Sequence, residues 1–132
     1  MRRLAHKMLA HLELADSELS IFLCDDATIK KLNSEHRGKP KPTDVLSFPQ
    51  AEFRAPGVPK KGQHLRLLGD IVISLDTAAR MAASRKRPLL DEVRFLLAHG
   101  LLHLYGYDHA TSEEKKNMSR RTRELVRAAQ FI

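Results

Sequence analysis

The chain reads as a single layered domain of α+β or mixed-sheet type, and three observations carry that reading. Its 132 residues suit one hydrophobic core and are too few for two. Segments whose apolar residues recur with a helical period alternate with short apolar runs of strand character. No apolar run approaches the roughly 20 residues that a membrane-spanning helix needs, because charges or histidines break each long stretch. The protein is therefore expected to be soluble.

From Arg2 to Leu14, Leu4, Met8 and Leu12 form a stripe with Ala5 and Leu9 beside it, which predicts an amphipathic helix. Its start is basic, but Lys7, His11, Glu13 and Asp16 interrupt what would have to be the apolar core of a signal peptide, so it belongs to the mature fold. The run ELSIFLCD predicts a strand ended by Asp25 and Asp26. Asp26 is the expected N-cap of a short helix, ATIKKLNSEH, with Ile29 and Leu32 facing inward and Gly38 stopping it. A basic, proline-stiffened loop then feeds the strand DVLSF, which Pro49 closes. Residues 50–64, with Pro56, Gly57, Pro59 and Gly62, are expected to be a mobile loop.

LRLLGDIVISL is the strongest strand candidate, and DTAARMAASRKR predicts a helix with Ala78, Met81 and Ala82 on one side. Pro88 opens PLLDEVRFLLAHGLLHLYG, the most apolar helix, with Asp91 and Glu92 suited to its positive end and Gly106 as its stop. Thr111 and Glu114 have capping-box spacing and start a final polar helix that runs to about Ala129.

Charge and cysteine content narrow the function. A net charge of +7 points to a polyanionic partner, because Lys and Arg fields attract phosphate backbones. With two Tyr, five Phe and no Trp, an aromatic base-stacking surface is disfavoured. Cys24 is the only cysteine, which excludes an intrachain disulfide and fits a reducing cytoplasm. Within the apolar run SIFLC it reads as a small buried hydrophobe, not a nucleophile.

The stretch AHGLLHLYGYDH places three of the chain's seven histidines within eleven positions. His99 and His103 stand at i and i+4, so both imidazoles leave one helix face about a turn apart. Gly106 breaks the helix and lets His109 turn back as a third ligand. Three imidazoles with an open position describe a catalytic type of metal site, and the alternative is a set of satisfied histidines on a half-buried helix. His6, His11, His36 and His64 show no such spacing and read as surface or loop residues. Gly100 stands where zinc proteases carry the glutamate that accepts a proton from water. It would either leave room above a metal or allow close helix packing. Peptide hydrolysis by the usual zinc-protease route is disfavoured in both cases.

HGLLHLYGYDH resembles the H-G-x-L-H-L-x-G-Y-D-H signature of the YbeY family of bacterial endoribonucleases. LNSEHRGKPKPTDVLSFP (32–49) and LGDIVIS (68–74) resemble two further blocks of that family, in the same order; Pro40 departs from the acidic residue common there, and the N-terminal portion is short. The resemblance implies a single α+β domain over 1–132, with a small mixed sheet of about four strands flanked by helices. It implies one Zn2+ per chain, held by His99, His103 and His109 on the central apolar helix and the turn after it. It also implies Arg37 as the functional arginine of the cleft. The implied substrate is single-stranded RNA, notably precursor rRNA of the small ribosomal subunit. The implied role is 16S rRNA 3′-end maturation and ribosome quality control, with ribosomal proteins or assembly factors as further partners and no membrane.

Read from the residues alone, Arg37, Lys39 and Lys41 lie on one stiff loop and form either a phosphate clamp or a solvated charge run. Asp44 and Asp70 read as partners of metal-bound histidines or as strand-end caps, and Asp108 is equally open. The leading expectation is a cytoplasmic, zinc-dependent endoribonuclease. Its rivals are a metalloprotease-like hydrolase and a non-catalytic ribosome-assembly factor with a structural metal.

Overall fold

The computed structural model describes residues 1–62 and 66–130, and the expectation for His64 lies outside them. In chain order the elements are α1 Arg2–His11, β1 Glu18–Cys24, α2 Asp26–Arg37, β2 Val45–Pro49, β3 Phe53–Ala55, β4 Val58–Pro59 and β5 Leu67–Ser74, then α3 Leu75–Ser84, α4 Leu89–Leu104 and α5 Ser112–Gln130. The expected α+β domain with a small mixed sheet is present. β5 lies at the centre of a three-stranded sheet, parallel to β1 and antiparallel to β2. About four strands were expected in it; β3 and β4 pair only with each other, as a separate ribbon.

The unbroken apolar run of β5 follows from this position, since a central strand covered on both faces has no solvent side to make polar. Ile71 and Ile73 join the main core with α1, α4 and α5, whereas Val72 points the other way to Ile29 of α2 and Leu46 of β2. α4 is apolar nearly all round because the sheet, α3, α5 and α1 all contact it. At the far end of the chain, the capping box opens α5 as expected. The Thr111 N–H donates to Glu114 Oε1 and the Glu114 N–H to Thr111 Oγ1, each at 3.1 Å.

Three details differ from expectation. α1 ends at His11, short of Leu14, because Glu13 takes a left-handed φ of 61°; Leu12 and Leu14 remain buried. Asp25, not Asp26, caps α2, its side chain accepting the Thr28 N–H at 2.9 Å. Asp26 instead accepts from Ser74 Oγ (2.7 Å), Thr77 Oγ1 (2.6 Å) and Arg80 (2.8 Å), tying the start of α2 to that of α3. Finally, residues 50–62 hold the β3–β4 ribbon where a loop was expected, anchored by the Gly57 N–H donating to the Tyr105 carbonyl at 2.9 Å and by Phe53 edge-on to Tyr105.

Candidate metal centre

His99 and His103 project from one face of α4 with ring centroids 4.8 Å apart. Beyond them the helix stops at Tyr105, and Gly106 turns the chain with φ 94°, a left-handed value that glycine adopts without steric cost. A Cβ there would stand 2.7 Å from Phe53 Cβ, so the ribbon presses the turn into place. The Tyr107 N–H returns to the Leu102 carbonyl at 2.9 Å, and the next residues carry His109 back over the helix. Its ring centroid lies 5.0 Å from that of His103 and 5.7 Å from that of His99.

One ring nitrogen from each of the three histidines lies within 4.8 Å of the other two. Bonds of about 2.1 Å in a tetrahedral site would hold such nitrogens about 3.4 Å apart, so the rings need only draw in slightly. His109, exposed and on a turn, has the freedom to do so. The chemistry of the donors also fits. Burial pushes His99 down to about 4, with the neighbouring His103 and His109 adding to the effect and Asp44 opposing it. His103 is lowered by burial and by His109, with a smaller contribution from Arg37. His99 and His103 are therefore held as neutral imidazoles at neutral pH, the form that binds a metal.

The triad lines a cleft of about 390 Å³ whose other walls include Arg37, Asp44, Ser47 and Asp108. Arg37 is the last residue of α2, where Gly38 ends the helix at φ 66°. The buried Asn33 donates its side-chain N–H to the Lys41 carbonyl at 2.9 Å and so pins the basic loop. The structure thus brings together His99, His103, His109 and Arg37, which the sequence holds up to 72 positions apart.

The aspartates separate. Asp44 sits in the cleft, its carboxylate accepting the Val45 N–H at 2.7 Å and acting on His99 through space. Asp108 accepts the His109 N–H at 2.8 Å and so shapes the turn that presents this histidine. Asp70 alternates with Ile71 along β5 and therefore faces away from α4, on the Val72 side. Cys24 is half-buried, with its thiol pushed up by burial and by Asp25, Asp26 and Asp76, which lowers its thiolate fraction and argues against a nucleophile.

Gly100 does not open space above the triad. A Cβ on it would meet Ile71 Cγ2 at 3.0 Å, Ser47 Oγ at 3.2 Å and Val45 Cγ2 at 3.3 Å, and its carbonyl accepts from Ser47 Oγ at 3.0 Å. Here α4 packs directly against β2 and β5. One neighbour of the site escaped the sequence reading: Phe95, four residues before His99, stacks on its ring with centroids 6.1 Å apart and planes 21° from parallel. Helical spacing alone could have indicated it.

The family model for Endoribonuclease YbeY matches residues 1–130. The chain is 49% identical over its whole length to an Endoribonuclease YbeY of an Anaeromyxobacter species, of which it spans 65%. It is 47% identical over 115 residues to that of Persephonella marina, covering 87% of this chain and 71% of the relative. Among solved structures, TM1509 from Thermotoga maritima, determined in solution, superposes with a TM-score of 0.68 at 27% identity, covering 97% of this chain and 79% of that one.

Proposed function

Since the chain belongs to the YbeY endoribonuclease family, we propose that residues 1–132 form a single domain that is a zinc-dependent, single-strand-specific endoribonuclease. Its proposed substrate is precursor rRNA of the small ribosomal subunit, cut in 16S 3′-end maturation and ribosome quality control, with ribosomal proteins or assembly factors as further partners. The observation that carries this is the convergence of three histidines, two of them held neutral by burial, in a cleft walled by a helix-terminal arginine. Spanning 65% of the Anaeromyxobacter relative, the chain contains every part of that arrangement. A cytoplasmic location goes with the reading; a single cysteine supports it, and no described helix is long and apolar enough to cross a membrane.

A zinc-type ion held by His99, His103 and His109 would supply Lewis acidity beside the scissile phosphate. Arg37, exposed at the cleft wall, offers its guanidinium fork to phosphate oxygens and to the charge that develops on them. Asp44 and Asp108 are the carboxylates lining the cleft among the described residues, and so are placed to accept the nucleophile's proton. A base at position 100, as in the zinc proteases, would point into Ile71 and Ser47, which speaks against the protease reading.

The test pairs metal analysis of the purified protein with rRNA cleavage before and after chelation. Cleavage should vanish with the metal and return with zinc. His103→Ala should stay folded and lose at least the roughly 10- to 100-fold of activity that removing a mere hydrogen-bond partner of a ligand costs, whereas unfolding would favour a structural metal. Arg37→Ala should lower kcat/KM by about 100- to 1,000-fold. A 5′-phosphate on the product would assign water as nucleophile, and a cyclic phosphate the ribose 2′-OH. Metal-dependent casein cleavage at rates matching RNA cleavage would reject the nuclease.

A further inference from the structure

We infer that the groove between α4 and α5, walled by Arg87, Arg123 and Arg127, is a second binding site for the phosphate backbone of the same single-stranded RNA, continuous with the histidine cleft. The inference rests on the nuclease reading and extends it to residues outside the cleft.

Four-residue steps along α4 place Asp91, Phe95, His99 and His103 in one line, with Arg87 just ahead of the helix. Eight residues, roughly 12 Å of helix, separate Asp91 from His99. The line is physically continuous: Phe95 stacks on His99, and the Arg87 and Arg85 guanidinium carbons lie 5.6 and 6.0 Å from the Phe95 ring centroid. Across from it, Arg123, Val126 and Arg127 of α5 complete a groove of about 440 Å³.

The charges in this groove are not balanced. Asp91, its one acidic wall, is engaged by Arg94 at 3.1 Å, and Arg87 is engaged by Glu92 at 2.9 Å. The Arg123 and Arg127 side chains are exposed and make no hydrogen bond or ion pair among the described residues. Two guanidiniums one helical turn apart repel each other, and an anion bridging them relieves that repulsion. The RNA backbone is such an anion, delivered by a strand whose scissile phosphate lies at the triad. Arg37 stands in the wall of the cleft, whereas Phe95, which is not among the cleft's walls, stacks on His99. The groove therefore extends the cleft from its His99 side. The Phe95 ring is already taken up by His99 and the two arginines, so the groove holds phosphates and reads no bases.

The experiment uses the full, metal-loaded chain and the double variant Arg123→Ala/Arg127→Ala, both positions being exposed. Binding of fluorescent single-stranded RNA is followed by anisotropy across a salt series, with cleavage of long and very short oligonucleotides measured beside it. For long RNA the variant should bind about tenfold more weakly, and the slope of log Kd against log salt should fall by about 1.4, two phosphates at roughly 0.7 each. Its KM should rise with kcat unchanged, and cleavage of the shortest substrate should match wild type. Lys30→Ala/Lys31→Ala, which removes equal charge from α2, should leave the slope intact; an equal fall there would overturn the inference. If the wild type cleaves RNA but the Arg123/Arg127 variant keeps its slope and KM, the inference alone fails. If the wild type neither binds nor cleaves RNA, the nuclease reading falls and takes the groove with it. If the variant loses only binding to small-subunit proteins, the groove belongs to a protein partner and the proposal is wrong.

Discussion

Gly100 shows how little tolerance the floor of the site has. Replacing it with alanine gains up to about 1 kcal/mol of helix propensity, but forces a methyl against Ile71, which is fully buried and cannot give, and against Ser47, whose hydroxyl holds the Gly100 carbonyl. Overpacking of this kind costs about 1–3 kcal/mol, so Gly100→Ala should be net destabilising by about 1 kcal/mol, read as a lower urea midpoint. The histidines make a pH prediction. His99 has a folded value of about 4 against an ordinary 6.5, so the folded chain binds fewer protons than the unfolded one between those values. Stability of the metal-free protein is full above about pH 6.5 and declines as pH falls toward 4. Urea midpoints in chelator should drop from about pH 7.5 to about pH 5, and His99→Gln should flatten that drop; an unchanged midpoint would contradict it. His99 and His103 were legible in the sequence because helical spacing is local, and His109 because Gly106 marks the turn that brings it back. The role of Gly100 was not, since Ile71 and Ser47 lie 29 and 53 positions upstream.

At the scale of elements, the junction of α3 and α4 depends on one carboxylate. Glu92 is 0% exposed and takes guanidinium N–H groups from both Arg85 and Arg87, which are 48% and 33% exposed. Breaking a fully buried pair costs about 3–5 kcal/mol, but these arginines can be rehydrated, so Glu92→Gln should cost nearer 2 kcal/mol. The same change should loosen the turn at Lys86, where φ is 53°, measurable as faster amide exchange there than in the middle of α4. Long elements with strong periodicity or continuous apolar runs, such as α4, α5 and β5, were readable because their pattern is repeated over many residues. The β3–β4 ribbon was not: three- and two-residue strands carry no period, and what steadies them, Tyr105 and Gly106, lies some fifty residues on.

For the molecule as a whole, the mixed sheet was expected, but its order could not be read from local pattern, because strand pairing is a non-local choice. β1 and β2 each bond to β5 and not to each other. Biosynthesis inherits that order. Until β5 has left the ribosome, β1 has no partner in the main sheet, and its Phe22 and Leu23, exposed even in the finished fold, wait on an open edge. From Cys24 to Leu67 is 43 residues, a delay of roughly 2 to 9 s at ordinary translation rates. A fragment ending at Arg66 should therefore show helical circular dichroism with unprotected amides in β1 and β2, and extension through Leu104 should protect them. The last-made strand of the sheet sets the earliest moment at which β1 and β2 can be paired.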